Sequence, residues 1–374
     1  MSVAVERVDV SSSAKVKELL QEGNRPFLIT ESVDERIREA FWTPSALRSL
    51  IGAREVLVTR ADGGTFDYTE EGVPQYSDVL LPFGEAMDLV ASSKAPGPCY
   101  YLRRNLLTEL GVGSDEALPS AFLLTHGTKK SERLWASSQG SVTPLHYDTR
   151  NNLLTQMHGS KVITLFPSFE HERMHPIGFT GTNLLSRVDP EAVDESRFPD
   201  FPRELQITVE FHPGDTLFIP PFWWHHVRSR EFSISVNVFW QLRPEQCLVP
   251  NSIEYLRVMY KRKGLADLFT DEGEPHPLHF AKLAGQAHEL GLNGAAIMFC
   301  AASARMTLQT LPPALNGTGA DKTTAKERAR LEHFVLLGSF AALQGKIPRA
   351  SALSDMVAEV FQLASRSQEP FSSG

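Results

Sequence analysis

PGDTLFIPPFWWHHV, residues 213–227, decides how this chain folds. Gly214, between Pro213 and Asp215, supplies the backbone freedom of a tight reversal. The β-forming run 215–219 follows it, the Pro220-Pro221 pair ends that run, and an aromatic stretch leads into a further run at 226–229. A strand that reverses and comes straight back is the behaviour of a barrel wall folding across itself. Working outward, the same punctuation recurs from about residue 121 to 242. Short β-type runs at 134–137, 152–157, 161–166, 206–211, 215–219, 226–229 and 232–240 are separated by Gly, Pro, Asn and Asp clusters. A small β-barrel is expected. Residues 173–202 lack periodicity and read as a long loop over it, of a length that is often functional in a compact domain.

The flanks differ. Helical spacing at 13–21 precedes a strand-like run at 25–30, and Thr43 with Pro44 starts a helix running to Leu50. Residues 54–59 are rich in β-formers, 83–90 suit a helix, and 100–107 return to strand. Beyond about Pro250 the spacing predicts helices at 252–260, 278–290, 295–310, 325–343 and 352–364. Thr324 and Glu327 fit a capping box, and a polar loop at 312–322 divides the region. Three parts are expected: 1–120 with mixed α/β elements, 121–249 as the β core, and 250–374 as a helical region.

Length and composition exclude several classes. The chain has 374 residues, 42% hydrophobic and 22% charged, which suits an ordinary globular protein with room for a large core. A net charge of −8 and a pI near 5.9 give no basic footprint, so nucleic acid is a disfavoured partner. The first residues lack the basic start and apolar stretch of a secretory signal. The longest uncharged stretch, 290–304, is shorter than the roughly 20 apolar residues of a membrane span and reads as a buried helix. Cys99, Cys247 and Cys300 are few, scattered and odd in number. They fit a reducing compartment and packing roles, and the expected location is cytoplasmic, away from any membrane.

The chemistry begins at His146-Tyr147-Asp148. Alternate residues of an extended strand point to one side, so this imidazole and carboxylate can converge on one ion. A bare His-x-Asp is common, and a second imidazole is needed; His158, His171, His175, His212, His225 and His226 are available, those of PPFWWHHV being best placed. Two His and one carboxylate form the facial triad of non-haem iron(II), with three positions left open. Lys161 starts a neighbouring β-run, where an ammonium can anchor a distal carboxylate. Thr143, three residues before His146, offers a hydroxyl.

TPLHYD (143–148), Asn152, GSKVITLFP (159–167), PGDTLFIPPFWWHHV and SVNVFW (235–240) together resemble the JmjC or cupin-like 2-oxoglutarate oxygenases. In order and spacing they look closest to the hypoxia-inducible-factor asparaginyl hydroxylase type. The likeness is good over 140–240, weak before it, and limited to helical character after it. It implies a mainly β fold with α additions: a double-stranded β-helix (jelly-roll or cupin) core, N-terminal α/β elements extending the barrel, and a C-terminal helical region. It implies Fe(II) held by His146, Asp148 and His225, with His226 facing away, and 2-oxoglutarate and O2 as co-substrates. Lys161 and Thr143 match positions that bind the distal carboxylate. Tyr101 in CYYLRRNLL resembles a tyrosine sharing that task, with Tyr100 as the alternative; Asn152 and Asn237 match polar positions near co-substrate and iron. The implied reaction is hydroxylation of an amino-acid side chain in a peptide or protein, possibly at a β-carbon, with succinate and CO2 released.

Other readings remain beside it. N-methyl-lysine demethylation and RNA-base hydroxylation share the fold, and a non-catalytic cupin-type binding protein is the rival from another class. The C-terminal helices imply a homodimer or, equally, a layer covering the barrel within one subunit. His171-Glu172-Arg173-Met174-His175 is a literal HExxH, the zinc-peptidase spacing that requires a helix. Pro167 and Pro176 leave little room for one, so a zinc peptidase is not expected.

Overall fold

Period-2 burial shapes the barrel, as ITVEF shows: Ile207, Val209 and Phe211 are buried, while Thr208 and Glu210 are exposed. The computed structural model of the chain describes residues 4–69, 73–112, 118–125, 130–179, 183–262 and 277–309. The chain folds as two units, 1–242 and 243–374.

In the first unit, β1 (Glu6–Asp9), β2 (Phe27–Thr30), β3 (Glu55–Ala61), β4 (Ser77–Pro82) and β5 (Cys99–Leu106) precede eight strands that form the barrel. These are β6 (Ser131–Ser137), β7 (Val142–Asp148), β8 (Asn151–His158), β9 (Lys161–Phe166), then, after the hairpin β10 (Pro176–Phe179) and β11 (Asn183–Ser186), β12 (Ile207–Phe211), β13 (Thr216–Ile219), β14 (Trp224–Ser229) and β15 (Ser233–Trp240). One sheet runs β1-β2-β13-β8-β15-β6-β5-β3-β4, the other β10-β11-β7-β14-β9-β12. All pairs but the parallel β1-β2 are antiparallel. The four-stranded halves β13-β8-β15-β6 and β7-β14-β9-β12 give the jelly roll, a mainly β core with α additions. N-terminal strands lengthen the first sheet at both ends, through β2 on β13 and β5 on β6.

Among the described residues, two of the buried clusters carry most of this unit's packing. Leu154, Leu217 and Ile219 of the first sheet meet Ile163, Leu165, Ile207, Val209 and Phe211 of the second in one. The larger cluster brings Val16, Leu19, Trp42, Leu47, Phe83 and Met87 against Leu134, Ala136, Leu153, Ile234 and Val236. Its helices are Ser13–Glu22, Pro44–Ile51 and Phe83–Ser92, close to the expected spans. Thr43 caps the second, its hydroxyl accepting from Ala46 N at 3.2 Å. The three cysteines are buried and none forms a disulfide, and burial pushes the Cys99 and Cys247 thiols up, so both stay protonated.

Residues 173–202 are not simply a loop. β10 and β11 extend the second sheet, β11 pairing with β7 through Leu184↔Tyr147 and Leu185↔His146. Strands of four residues are too short to display a period-2 signature. The rest is a strap whose Val188, Phe198 and Phe201 are buried, with the Phe201 ring 5.1 Å from that of Phe166 on β9. The sequence reading also misses β1, β4 and the helix Glu35–Phe41.

The second unit contains helices Ser252–Arg262, Pro277–Glu289 and Asn293–Gln309, with Phe280 and Phe299 packed at 6.1 Å. The uncharged stretch from 290 opens not in helix but on exposed Leu290 and a turn at Gly291, where φ is +74°. The helices expected at 325–343 and 352–364, with their cap and the 312–322 loop, lie outside the described residues. No helix among the described residues is long and apolar enough to cross a membrane.

Gly159 joins β8 to β9 with φ +66°, and a Cβ there would overlap the Phe232 carbonyl oxygen. Gly159→Ala should lower the urea midpoint with little change in m, a loss of about 2 kcal/mol or more from left-handed strain plus overlap.

Candidate metal centre

β7 and β14 build the centre by lying side by side, with His225 directly opposite His146. The start of β14 is clasped to the end of β7. Phe222, in the left-handed region at φ 67°, donates its N–H to the Asp148 carbonyl oxygen at 2.8 Å. On the outer side the Tyr147 ring packs edge-on against Trp224 at 4.9 Å, and the Trp224 indole donates to Glu170 O at 2.7 Å.

The two imidazole rings stand 4.2 Å apart, His225 Nε2 is 3.7 Å from Asp148 Oδ2, and one ligating atom from each of the three residues lies within 4.8 Å of the others. His146 Nδ1 meets Pro144 O at 2.7 Å, and His225 Nδ1 meets Trp223 O at 3.0 Å. A carbonyl oxygen can only accept, so each Nδ1 carries the proton. In the neutral ring each Nε2 then keeps a lone pair for an ion. Burial, helped by the neighbouring His146, holds the His225 imidazolium well below its usual range. Burial raises Asp148, while His146, Arg133 and Arg150 pull it back. Two neutral nitrogens and a carboxylate on one side of a cavity fit a divalent transition metal.

Thr143 reaches the same cavity because of an irregularity. His225 and Val227 are two residues apart, whereas their partners His146 and Thr143 are three apart, so β7 carries one extra residue as a β-bulge. Without it Thr143 and His146 would face opposite sides. Pro144, which has no N–H to leave unpaired, sits in the bulge. Tyr101 on β5 is buried and pushed up to about 12 by desolvation, against the pull of a hydrogen bond from the Thr143 side. Lys161 shares the inward face of β9 with Ile163 and Leu165. It is 2% exposed, has no carboxylate within ion-pair distance among the described residues, and burial lowers its pKa to about 7. Asn152 and Asn237 are brought together in a relay. The Trp135 indole donates to Asn237 Oδ1 at 2.8 Å, and Asn237 Nδ2 donates to Asn152 Oδ1 at 2.7 Å.

The HExxH builds no second centre of its own kind. Glu172–Met174 is a single 3-10 turn, His175 is left-handed at φ 47°, and His175 Nε2 pairs with Asp200 Oδ1 at 2.9 Å.

The cupin-like domain family matches residues 13–246, well over half of the chain. The chain belongs to the cupin-like domain family. Among its relatives, the "Lysine-specific demethylase JMJ30" of Arabidopsis thaliana is 31% identical over 169 residues, 44% of this chain and 39% of that protein. The "Lysine-specific demethylase 8" of Xenopus tropicalis is 27% identical over 202 residues, 53% of this chain and 44% of that protein. The "tRNA wybutosine-synthesizing protein 5" of Mus musculus is 27% identical over 237 residues, 59% of this chain and 72% of that protein. The chain thus spans less than half the length of the two demethylase relatives. These names support the JmjC and cupin grouping and not the asparaginyl hydroxylase subtype expected from the motifs.

This cupin-like cavity also has features the sequence reading passed over. Arg133 acts on Asp148 by charge, and Phe66, 5.2 Å from the Tyr101 ring, joins Tyr101 and Trp135 in an aromatic wall. The run expected at 134–137 starts one residue too late to include Arg133, although SERLWAS alternates Arg133, Trp135 and Ser137.

The buried Lys161 makes stability depend on pH. Its folded pKa of about 7 lies below the usual 10.5, so folding favours the neutral amine. The unfolded chain holds the extra proton between pH 7 and 10.5. Stability therefore rises across that window, and the full cost of the charge, at most about 4–5 kcal/mol, is present below pH 7. Lys161→Met should raise the unfolding free energy at pH 6 by about 1–4 kcal/mol, the gain fading above pH 10, in denaturant titrations of protein free of small carboxylates.

Proposed function

We propose that the chain is an Fe(II)- and 2-oxoglutarate-dependent oxygenase acting on an amino-acid side chain of a peptide or protein. The observation that carries this reading is the pairing of a His-Asp-His cluster with a buried, uncompensated lysine in one barrel. His146, Asp148 and His225 would hold the iron through two Nε2 atoms and a carboxylate oxygen. Lys161 would receive the distal carboxylate of 2-oxoglutarate, a charge that repays the cost of burying the ammonium. Thr143 and Tyr101 add hydroxyl donors beside it, and Tyr101 keeps its proton at any physiological pH. Asn237 and Asn152 steady the opposite wall. The bound iron and co-substrate supply O2 activation and oxidative decarboxylation to succinate and CO2; the protein orients them and excludes water.

A second reading is favoured by the relatives' names. N-demethylation of a methyl-lysine begins with oxidation of a C–H bond, as side-chain hydroxylation does, and it needs the same cavity. A tRNA-directed activity is supported by the wybutosine relative and opposed by the net charge of −8. Dimerisation through the helices after 250 and a cytoplasmic location belong to this same proposal; light scattering of the full chain and of a form cut near Pro250 addresses the first.

His225→Ala should abolish succinate formation from 2-oxoglutarate in the presence of iron, and undiminished turnover would sink the assignment. Tyr101→Phe removes one donor and should raise KM for 2-oxoglutarate about 5- to 15-fold with a smaller effect on kcat. Product mass separates the readings: a gain of about 16 Da marks hydroxylation, and a loss of about 14 Da with formaldehyde marks demethylation.

A further inference from the structure

The outer face of β14 carries groups that the iron reading leaves unused. Neighbouring strand residues face opposite ways, so His226 and Arg228 point away from the barrel cavity that His225 enters. His226 is 2% exposed, and neither of its ring nitrogens has a hydrogen-bond partner among the described residues. An imidazole buried in that way has given up its water bonds without replacing them. Facing it are two carboxylates of the strap, Asp189 and Glu191. Asp189 Oδ1 stands 4.0 Å from His226 Nε2, too far for a hydrogen bond and within reach of a shared ion. One ligating atom from each of the three residues lies within 4.8 Å of the others. Asp189 keeps 56% of its side chain exposed, which leaves an entry path.

We propose that His226, Asp189 and Glu191 form a second site, for a divalent transition-metal cation of the zinc type, on the opposite side of β14 from His225. One imidazole with two carboxylates is a donor set that zinc accepts. Zinc bonds of about 2.0–2.2 Å place tetrahedral ligand atoms about 3.3 Å apart, so the His226–Asp189 pair needs to close by less than about 1 Å. Arg228 already grips Glu191, Nε lying 2.6 Å from Oε2 and 2.8 Å from Oε1. Oε2 also accepts from Arg228 Nη2, whereas Oε1 accepts from Nε alone and keeps a lone pair, so Glu191 can serve ion and guanidinium together. Arg228 then fixes the orientation of Glu191, as outer partners of metal ligands do, while weakening its charge. The two carboxylates, one guanidinium and neutral imidazole carry a net −1, which attracts a dication. Binding would pin the strap to the back of the strand that carries His225.

The test is zinc stoichiometry on the full chain, by elemental analysis after dialysis and by calorimetric titration. Wild type should bind two equivalents, and His146→Ala/Asp148→Ala should keep one. Asp189→Asn keeps an acceptor for the Glu191 N–H that Asp189 Oδ1 now binds at 3.0 Å, so the turn should survive. It should weaken one equivalent at least tenfold in either background. Zinc lost entirely from the His146→Ala/Asp148→Ala protein, or a second equivalent unaffected by Asp189→Asn, overturns the site. If the double variant does not fold, the comparison of wild type with Asp189→Asn decides alone. A wild type holding a single equivalent that the His146→Ala/Asp148→Ala protein keeps and Asp189→Asn weakens would count against the iron centre and leave this site standing.

Discussion

The antiparallel pairing of β14 with β7 is the constraint on which the centre depends. It places His225 opposite His146, and it does so through backbone hydrogen bonds and not through the ligands themselves. A slip of one residue would turn His225 outward and bring His226 in. The register is therefore locked at its end by the Phe222 N–H on the Asp148 carbonyl and on its outer side by Tyr147 against Trp224. The carbonyls of Pro144 and Trp223 finish the work by orienting each ring. An ion meeting these groups finds them already aimed, so little ordering entropy remains to be lost.

The cavity interior is electrostatically unbalanced by design of its walls. Burial raises Asp148 and the charges of His146, Arg133 and Arg150 oppose it, whereas Lys161 has desolvation and no opposing charge. One end of the barrel thus holds a carboxylate shared among cations, and Lys161 offers a cation without a carboxylate. A small molecule with a metal-binding head and a carboxylate tail complements both, which is why the site reads as more than a metal centre.

Much of the barrel was legible because its strands alternate and its turns use Gly, Pro and Asp. The runs at 161–166 and 206–211 match β9 and β12 closely, and the helix at 44–50 is marked by its cap. The His-x-Asp was legible for the same reason. What escaped was whatever depends on partners far along the chain. β10 and β11 are strands because β7 offers an edge, and β4 is exposed along most of its length, its run Val79-Leu80-Leu81 showing no alternation to announce it. Arg133 matters through a neighbour fifteen residues on, in a different sheet, which spacing along one strand cannot reveal. The strap's role was equally hidden, since Val188, Phe198 and Phe201 acquire meaning only against the sheet they cover.

The bulge at Pro144 and Leu145 acts on a strand as a frame-shift acts on a reading frame. A regular strand assigns its residues to two faces by odd and even number; one inserted residue exchanges the assignment for everything beyond it. Thr143 and His146 share a face only across that exchange, so the odd interval between them is a signature of the bulge and not a coincidence of composition. Any search for this pocket in other chains that insists on even spacing would discard it. Any shortening of β7 by one residue would leave the sequence nearly intact while separating the hydroxyl from the imidazole by the thickness of the sheet.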